Sequence, residues 1–241
     1  MMIAGGIIGG YSAKAVTFDG TNDYLSRTAQ LDGIADGKLG TLSLWINGAQ
    51  PATSSYVMDF GTTGRFSVLV ISTDGSMSIT GRTSAGANTF AMNSSTNPVA
   101  DSAWHHVLAS WDVADTNKCK FYLDDADVTT VSLIANNNID YATAGNIACG
   151  ADARGNFRLG ADIAELYFTT EWLDLTDSAV RAKFIKAGRP VSLGSDGSKP
   201  TGTAALLYLK GPASNWGTNS GSGGDFSVTG TFTDASTAPS L

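Results

Sequence analysis

"DSAWHHVLASWD", residues 101–112, carries both histidines of the chain, side by side. Its reading decides the fold, because adjacent histidines mark either a site or a strand. Along a strand, neighbouring side chains point to opposite faces. Trp104, His106 and Leu108 then alternate with His105, Val107 and Ala109, so one histidine faces a partly buried layer and the other faces out. Two imidazoles on opposite faces cannot close on one ion or one proton without a bulge between them. The stretch reads as architecture.

The same alternation spreads outward in both directions. It recurs at 15–20, 21–28, 40–48, 54–61, 64–72, 75–83 and 88–93 before the histidines, and at 118–125, 126–133, 145–152 and 156–170 after them. Asp-Gly, Gly-Thr and Asn-Asn turns separate nearly every pair, which is the pattern of an all-β sandwich. Composition agrees. Only 15 % of the 241 residues are charged, 28 are glycine, and Glu165 and Glu171 are the only glutamates among 22 acidic residues. Helical surfaces lean on Glu and Lys, whereas aspartate suits turns and caps. One short helix is expected at 176–187, capped by Thr176 or Asp177 and stopped by Gly188 and Pro190. Further strands are expected at 204–211 and 226–232.

A net charge of −7 with no basic cluster excludes nucleic acid, whose phosphates demand a cationic footprint. No stretch approaches the roughly 20 apolar residues of a membrane span. Cys119 and Cys149 stand thirty residues apart without a second pair, so they form no metal pattern. Buried free thiols are preferred over a disulfide, and the redox compartment stays open. Residues 1–14 read as an arm, with Met1, Met2, Ile3, Ile7 and Ile8 in a run broken by two Gly pairs. Without a basic n-region it is taken as a mobile or partner-bound assembly arm rather than a cleaved signal. Residues 15–241 are expected to form one sandwich domain, with an extension from about 189 to 241 packing back on it.

Five stretches taken in order carry a family likeness: "VTFDGTNDYLS" (16–26), "TLSLWI" (41–46), "WHHVLASWD" (104–112), "KFYLDD" (120–125) and "GADIAELYF" (160–168). Together they resemble the laminin-G-like branch of the concanavalin A-like lectin/glucanase fold, over roughly residues 15–187. The resemblance implies a two-sheet antiparallel jelly-roll sandwich. Two departures stand out. Asp124-Asp125 replaces the family's Asp-Gly hairpin, and Asp162-Ile163-Ala164-Glu165 replaces its compact Ile-Asp-Glu. The segment 183–211 is similar to laminin-G-like proteins encoded among the virion genes of tailed bacteriophages and prophages.

That resemblance implies a non-catalytic virion structural protein, a tail, fibre or capsid-surface component made in the host cytoplasm. It would assemble as a homo-oligomer, bind other virion proteins and touch host-surface polysaccharide. A purely structural cement or assembly protein is the alternative reading, and a glycan-cleaving enzyme of the same fold comes third. Retaining glycosidases need two carboxyls about 5–5.5 Å apart. Glu165 and Glu171 would stand about 20 Å apart on an extended strand, and Asp125 and Asp127 occupy a hairpin turn. No Gly-x-Ser-x-Gly elbow occurs, and "GGIIGG" does not join a strand to a helix as a dinucleotide loop would. No catalytic residue is assigned.

Two candidate sites remain. Trp172, Trp216 and Tyr56 lie in or beside loop-like stretches, where rings stack on sugar faces. Asp19, Asn22 and Asp23 would meet Asp162 if the opening strand pairs with the late one, as in the family. Their oxygens suit a structural Ca²⁺, which takes six to eight oxygen ligands. A turn capping its own backbone is the competing explanation, and no cofactor is required.

Overall fold

The computed structural model describes residues 11–70, 74–97, 101–143 and 145–239. Met1, Met2, Ile3, Ile7 and Ile8 of the expected arm lie outside the described residues. Strands β1 (Val16–Asp19), β2 (Tyr24–Arg27), β3 (Leu39–Gly48), β4 (Ser55–Phe60), β5 (Phe66–Val70) and β6 (Met77–Arg82) come first. Next are β7 (Asn88–Ser94), β8 (His105–Asp112), β9 (Lys120–Leu123), β10 (Ala126–Asp127), β11 (Thr129–Ile134) and β12 (Ile147–Cys149). The chain continues through β13 (Gly160–Thr169), β14 (Ile185–Lys186), β15 (Arg189–Pro190), β16 (Leu207–Leu209), β17 (Ser227–Thr229) and β18 (Thr233–Asp234).

They form two antiparallel sheets. The first runs β10-β9-β8-β3-β13-β1-β18, with β16 also paired to β13, and the second runs β11-β7-β6-β5-β4-β12-β2-β17. Alternate residues of both sheets meet in one core. Val107, Ala109 and Trp111 of β8 face Phe66, Val68, Ile79 and Phe90 of the opposite sheet. Each such large side chain stabilises the fold by about 1.5–3 kcal/mol when fully buried. Trp111 stacks on Phe66 at 5.5 Å, and its indole donates to the Tyr141 hydroxyl at 2.8 Å. The indole fits because β3 carries Gly40 beneath it: a Cβ there would stand 2.3 Å from the ring.

The first sheet is covered on its outer face too. Leu108, Tyr122, Tyr167, Leu175, Phe184, Leu193 and Tyr208 form a second apolar cluster, so β3 and β13 are buried on both faces along most of their length. His106 sits within this outer layer, against Trp45 at 4.9 Å and hydrogen-bonded through Nε2 to the Ser43 hydroxyl at 2.9 Å. Burial pushes its pKa down to about 4. His105 stands at the strand end between Asp124 (2.6 Å) and Asp101 (3.0 Å). Burial opposes its charge, but the two carboxylates outweigh that and raise its pKa. The histidines part to opposite sides of β8, as alternation requires. Cys119 and Cys149 are both buried free thiols, which burial raises to about 11 and about 12.

The helix expected at 176–187 is shorter. Only Ser178–Arg181 is α-helical (α1), capped by Asp177, whose Oδ1 accepts from the Ala179 amide at 2.8 Å. Beyond it the chain turns back at Ala187 and Gly188, with φ of 52° and 73°, between β14 and β15. Two successive left-handed residues make a hairpin, not a helix end. Phe184 is buried against Tyr167 at 5.5 Å, so the apolar spacing that suggested a helix serves a hairpin packed on the outer cluster. The C-terminal stretch then adds strands to both sheets: β16 pairs with β13, β18 with β1, and β17 with β2.

Candidate functional site

On the outer face of the second sheet, alternation leaves polar side chains pointing away from the core. Phe66, Val68 and Ile79 are buried inward, while Ser67, Ser78, Thr80 and Arg82 line an open groove of about 600 Å³. A bulge in β4 shifts the register between Tyr56 and Met58 against β5. Tyr56 and Asp59 line the same groove, and bulges commonly re-aim a side chain in this way.

The opposite wall is the loop from Gly150 to Phe157. Asp152 accepts the amides of Asn156 (2.6 Å) and Arg154 (3.0 Å), and Gly155 turns the chain with a φ of 79°. Asp59 fixes the loop to the sheet: Oδ2 accepts the Ala153 amide at 2.9 Å, and Oδ1 accepts the Ser67 hydroxyl at 2.5 Å. At the loop's end Phe157 has a φ of 50°, and 56 % of its surface is exposed. Its carbonyl accepts the Tyr56 amide at 3.1 Å, and the two rings lie 6.2 Å apart at 49°. An aromatic residue in the left-handed region is strained. Here the strain holds a large ring in water beside a second ring.

Asp59 is buried, and burial raises its pKa to about 6, with the charge of Asp152 adding to the rise and the Ser67 and Ala153 bonds opposing it. A buried carboxylate with a raised pKa makes this groove a candidate binding site. Sequence reasoning reached Tyr56 and missed Asp59, Arg154 and Phe157. One signal was present: Asp152 to Gly155 forms an Asx-type turn, followed by an aromatic set between Asn156 and Arg158 with no alternating partner.

The other expected residues fall elsewhere. Trp216 is a correction: it is fully buried in the inter-sheet core, edge-on to Phe18 at 5.8 Å, with its indole donating to the Gly211 carbonyl. Trp172 is half-buried away from the groove, its indole on the Lys118 carbonyl at 2.8 Å and the Lys118 ammonium over its ring at 5.1 Å.

The acidic set does not converge. β1 and β13 do pair, but Thr17 stands opposite Asp162 and takes its Oδ1 at 2.6 Å. Asp19 Oδ1 accepts three amides, from Thr21, Asn22 and Asp23, and Asp23 is buried on the Thr231 amide. Arg158 lies within electrostatic reach of Asp19. Among the described residues no three His, Cys, Asp or Glu side chains are grouped to hold an ion. This donor set does not fit Ca²⁺.

A second feature lies in the centre of the first sheet. Glu165 has a φ of 54°, where the pairing of β13 with β3 shifts register. Its buried carboxylate accepts from Tyr11 at 2.7 Å and from Tyr208. Burial raises its pKa, against the two phenol bonds and Lys210. Glu171 binds Thr203 instead, Asp125 pairs with Arg181, and Asp127 binds Thr129 and Lys120. None of these carboxylates shares a partner with another.

Two antiparallel sheets packed face to face as a sandwich define the concanavalin A-like class of folds. Residues 19–177 match the laminin-G family model described as the concanavalin A-like lectin/glucanases superfamily, and the chain belongs to that family. Among solved structures, a candidate carbohydrate-binding protein from Bacteroides ovatus ATCC 8483 superposes with a TM-score of 0.61 at 12 % identity. That match covers 95 % of this chain and 62 % of the other. A heptameric SAP-like pentraxin from Limulus polyphemus gives a TM-score of 0.50 at 15 % identity, covering 68 % of this chain and 79 % of that one. No curated protein sequence matches the chain.

Proposed function

We propose that this protein is a non-catalytic glycan-binding module whose site is the groove between Tyr56 and Phe157. The carrying observation is Phe157 itself, a strained aromatic held 56 % exposed beside a second ring and a row of hydroxyls. A pyranose offers an apolar face to rings and hydroxyls to Ser, Thr and Asp, and this groove presents both kinds of partner on a rigid scaffold. The fold neighbours support a binding role by analogy. The virion setting, with other virion proteins as partners, rests on the likeness of residues 183–211 to phage-encoded laminin-G-like proteins.

A glycan array probed with the wild-type protein and with Phe157→Ser and Tyr56→Ala tests the reading. Binding to defined glycans that falls at least about tenfold in both variants supports it, roughly the loss of one good stacking contact. Glycan signals untouched by either change, or none at all, would leave the assembly-protein reading in its place.

A further inference from the structure

We propose that the groove selects acidic sugars, with Arg154 taking the carboxylate while Tyr56 and Phe157 take the pyranose face. The inference rests on the glycan reading above and adds the ligand's charge. Arg27, Arg65 and Arg181 each pair with a carboxylate, Asp32, Asp140 and Asp125 respectively. Arg154 has two acids close by and pairs with neither. Its side chain is exposed on the groove wall, and its guanidinium makes no hydrogen bond or ion pair among the described residues.

The neighbouring acids are already engaged. Both oxygens of Asp59 are taken by Ser67 and Ala153, and Asp152 Oδ1 holds two amides of its own loop. Both residues are buried, so neither swings out to meet the guanidinium. Arg154 is therefore presented to whatever enters, on a loop whose backbone is fixed at Asp59, Asp152 and Tyr56.

A second guanidinium lines the groove. Arg82 is exposed, with Nε on Asn88 at 3.0 Å and Nη1 on the Thr63 carbonyl at 2.9 Å; its Nη2 has no partner among the described residues. The groove lining thus sets two exposed arginines, Arg82 and Arg154, beside two buried carboxylates, Asp59 and Asp152. A guanidinium's planar fork matches a carboxylate bidentately, and the apolar floor of Leu69 and the rings lowers local screening. Neutral sugars satisfy the hydroxyl row and leave Arg154 unused.

The test compares sugars matched except at the carboxylate: tetragalacturonate against its methyl ester, and sialyllactose against sialyllactose methyl ester, by calorimetry at low and moderate salt. The expected result is acidic over neutral by about tenfold or more for at least one pair, with the preference shrinking as salt rises. In Arg154→Ala that ratio falls to within about twofold of unity, and Arg154→Lys keeps part of it. Equal binding within both pairs, or a preference that survives Arg154→Ala, overturns the charge assignment while leaving a glycan site standing. Failure of the wild-type protein to bind any of the four, together with a blank array, overturns both readings.

Discussion

Tyr11 donates its phenol to Glu165 at 2.7 Å across 154 positions of the chain, tying the segment ahead of the first strand to the bulged centre of β13. Tyr208 of β16 closes on the other oxygen of the same carboxylate. Glu165 thereby joins three distant parts of the chain at one left-handed residue, and the two phenols offset the burial of its charge.

Removing either phenol should therefore cost stability. Tyr11→Phe and Tyr208→Phe are each expected to lower unfolding free energy by about 1.5–3 kcal/mol, the range for hydrogen bonds to charged groups. Because both phenols serve one carboxylate, the double variant should depart from the sum of the two. Urea titrations of the four proteins check this. Additivity within error would mean that the two bonds act independently.

Asp59 works in the opposite direction. Burial pushes its pKa up from the ordinary 3.8 to about 6, so the folded state holds its proton more tightly than the unfolded one. The stability it contributes is complete below 3.8 and is lost as pH rises through about 6. Asp59→Asn removes the buried charge and keeps both partners, with its carbonyl on the Ala153 amide and its NH₂ on Ser67. At pH 8 it is expected to stabilise the fold by on the order of 2–3 kcal/mol. That gain should fade by pH 4. Thermal melts across pH decide it, and a destabilised variant at pH 8 would show that the amide does not hold Ser67 and Ala153 as the carboxylate does.

His106 titrates with the reverse sign. Burial disfavours the imidazolium and pushes its pKa down from the ordinary 6.5 to about 4, despite Asp124 and Asp125. Its contribution is present above 6.5 and is lost as pH falls through about 4. His106→Leu should flatten the acid limb of the stability profile and cost about 1–3 kcal/mol at pH 7 by leaving Ser43 unpaired. His105→Ala should cost less, because its two carboxylates stay near water. Neither change should alter glycan binding, and a loss of affinity in either would place a histidine in the site.

Much of the sandwich was legible because alternation and turn residues are local signals, and each strand carries its own. What packs on the sandwich was less so. Trp216 stands in "NWGTNSGSGGD", which reads as an exposed flexible loop. Yet Gly221 and Gly223 are glycines for close approach: a Cβ on either would stand 2.4 Å from a carbonyl, of Ala205 and Leu206 respectively. The Ser222 and Gly223 amides bond those same two carbonyls, so the loop is packed tightly and its tryptophan turns inward. The acidic set stays apart for a related reason. Asp19, Asn22, Asp23 and Asp162 have the right chemistry at nearly the right register, but each carboxylate binds an amide or hydroxyl of its own surroundings.

Calcium should consequently add little. Millimolar Ca²⁺ or its chelation is expected to move the melting temperature by less than about one degree, since only preferential binding to the folded state shifts it. A saturable rise of several degrees, abolished in Asp19→Asn, would show that the turn rearranges around an ion.

The sharpest separation of stability from function lies at Phe157. A φ of 50° is costly for an aromatic residue and free for glycine. Phe157→Gly therefore relieves strain of order 1–3 kcal/mol. It gives back part of that through the greater entropy of the unfolded chain. Little core is lost, because more than half of the ring already faces water. The variant is expected to unfold at the same temperature as the wild type or a few degrees higher, and to bind glycan at least about tenfold more weakly. Most exposed-to-glycine changes lose stability and leave function alone, so the reversed pattern would be hard to obtain unless the strain serves the site. A variant that is markedly less stable would show that Phe157 holds its loop in place, and the aromatic pair would then be structural.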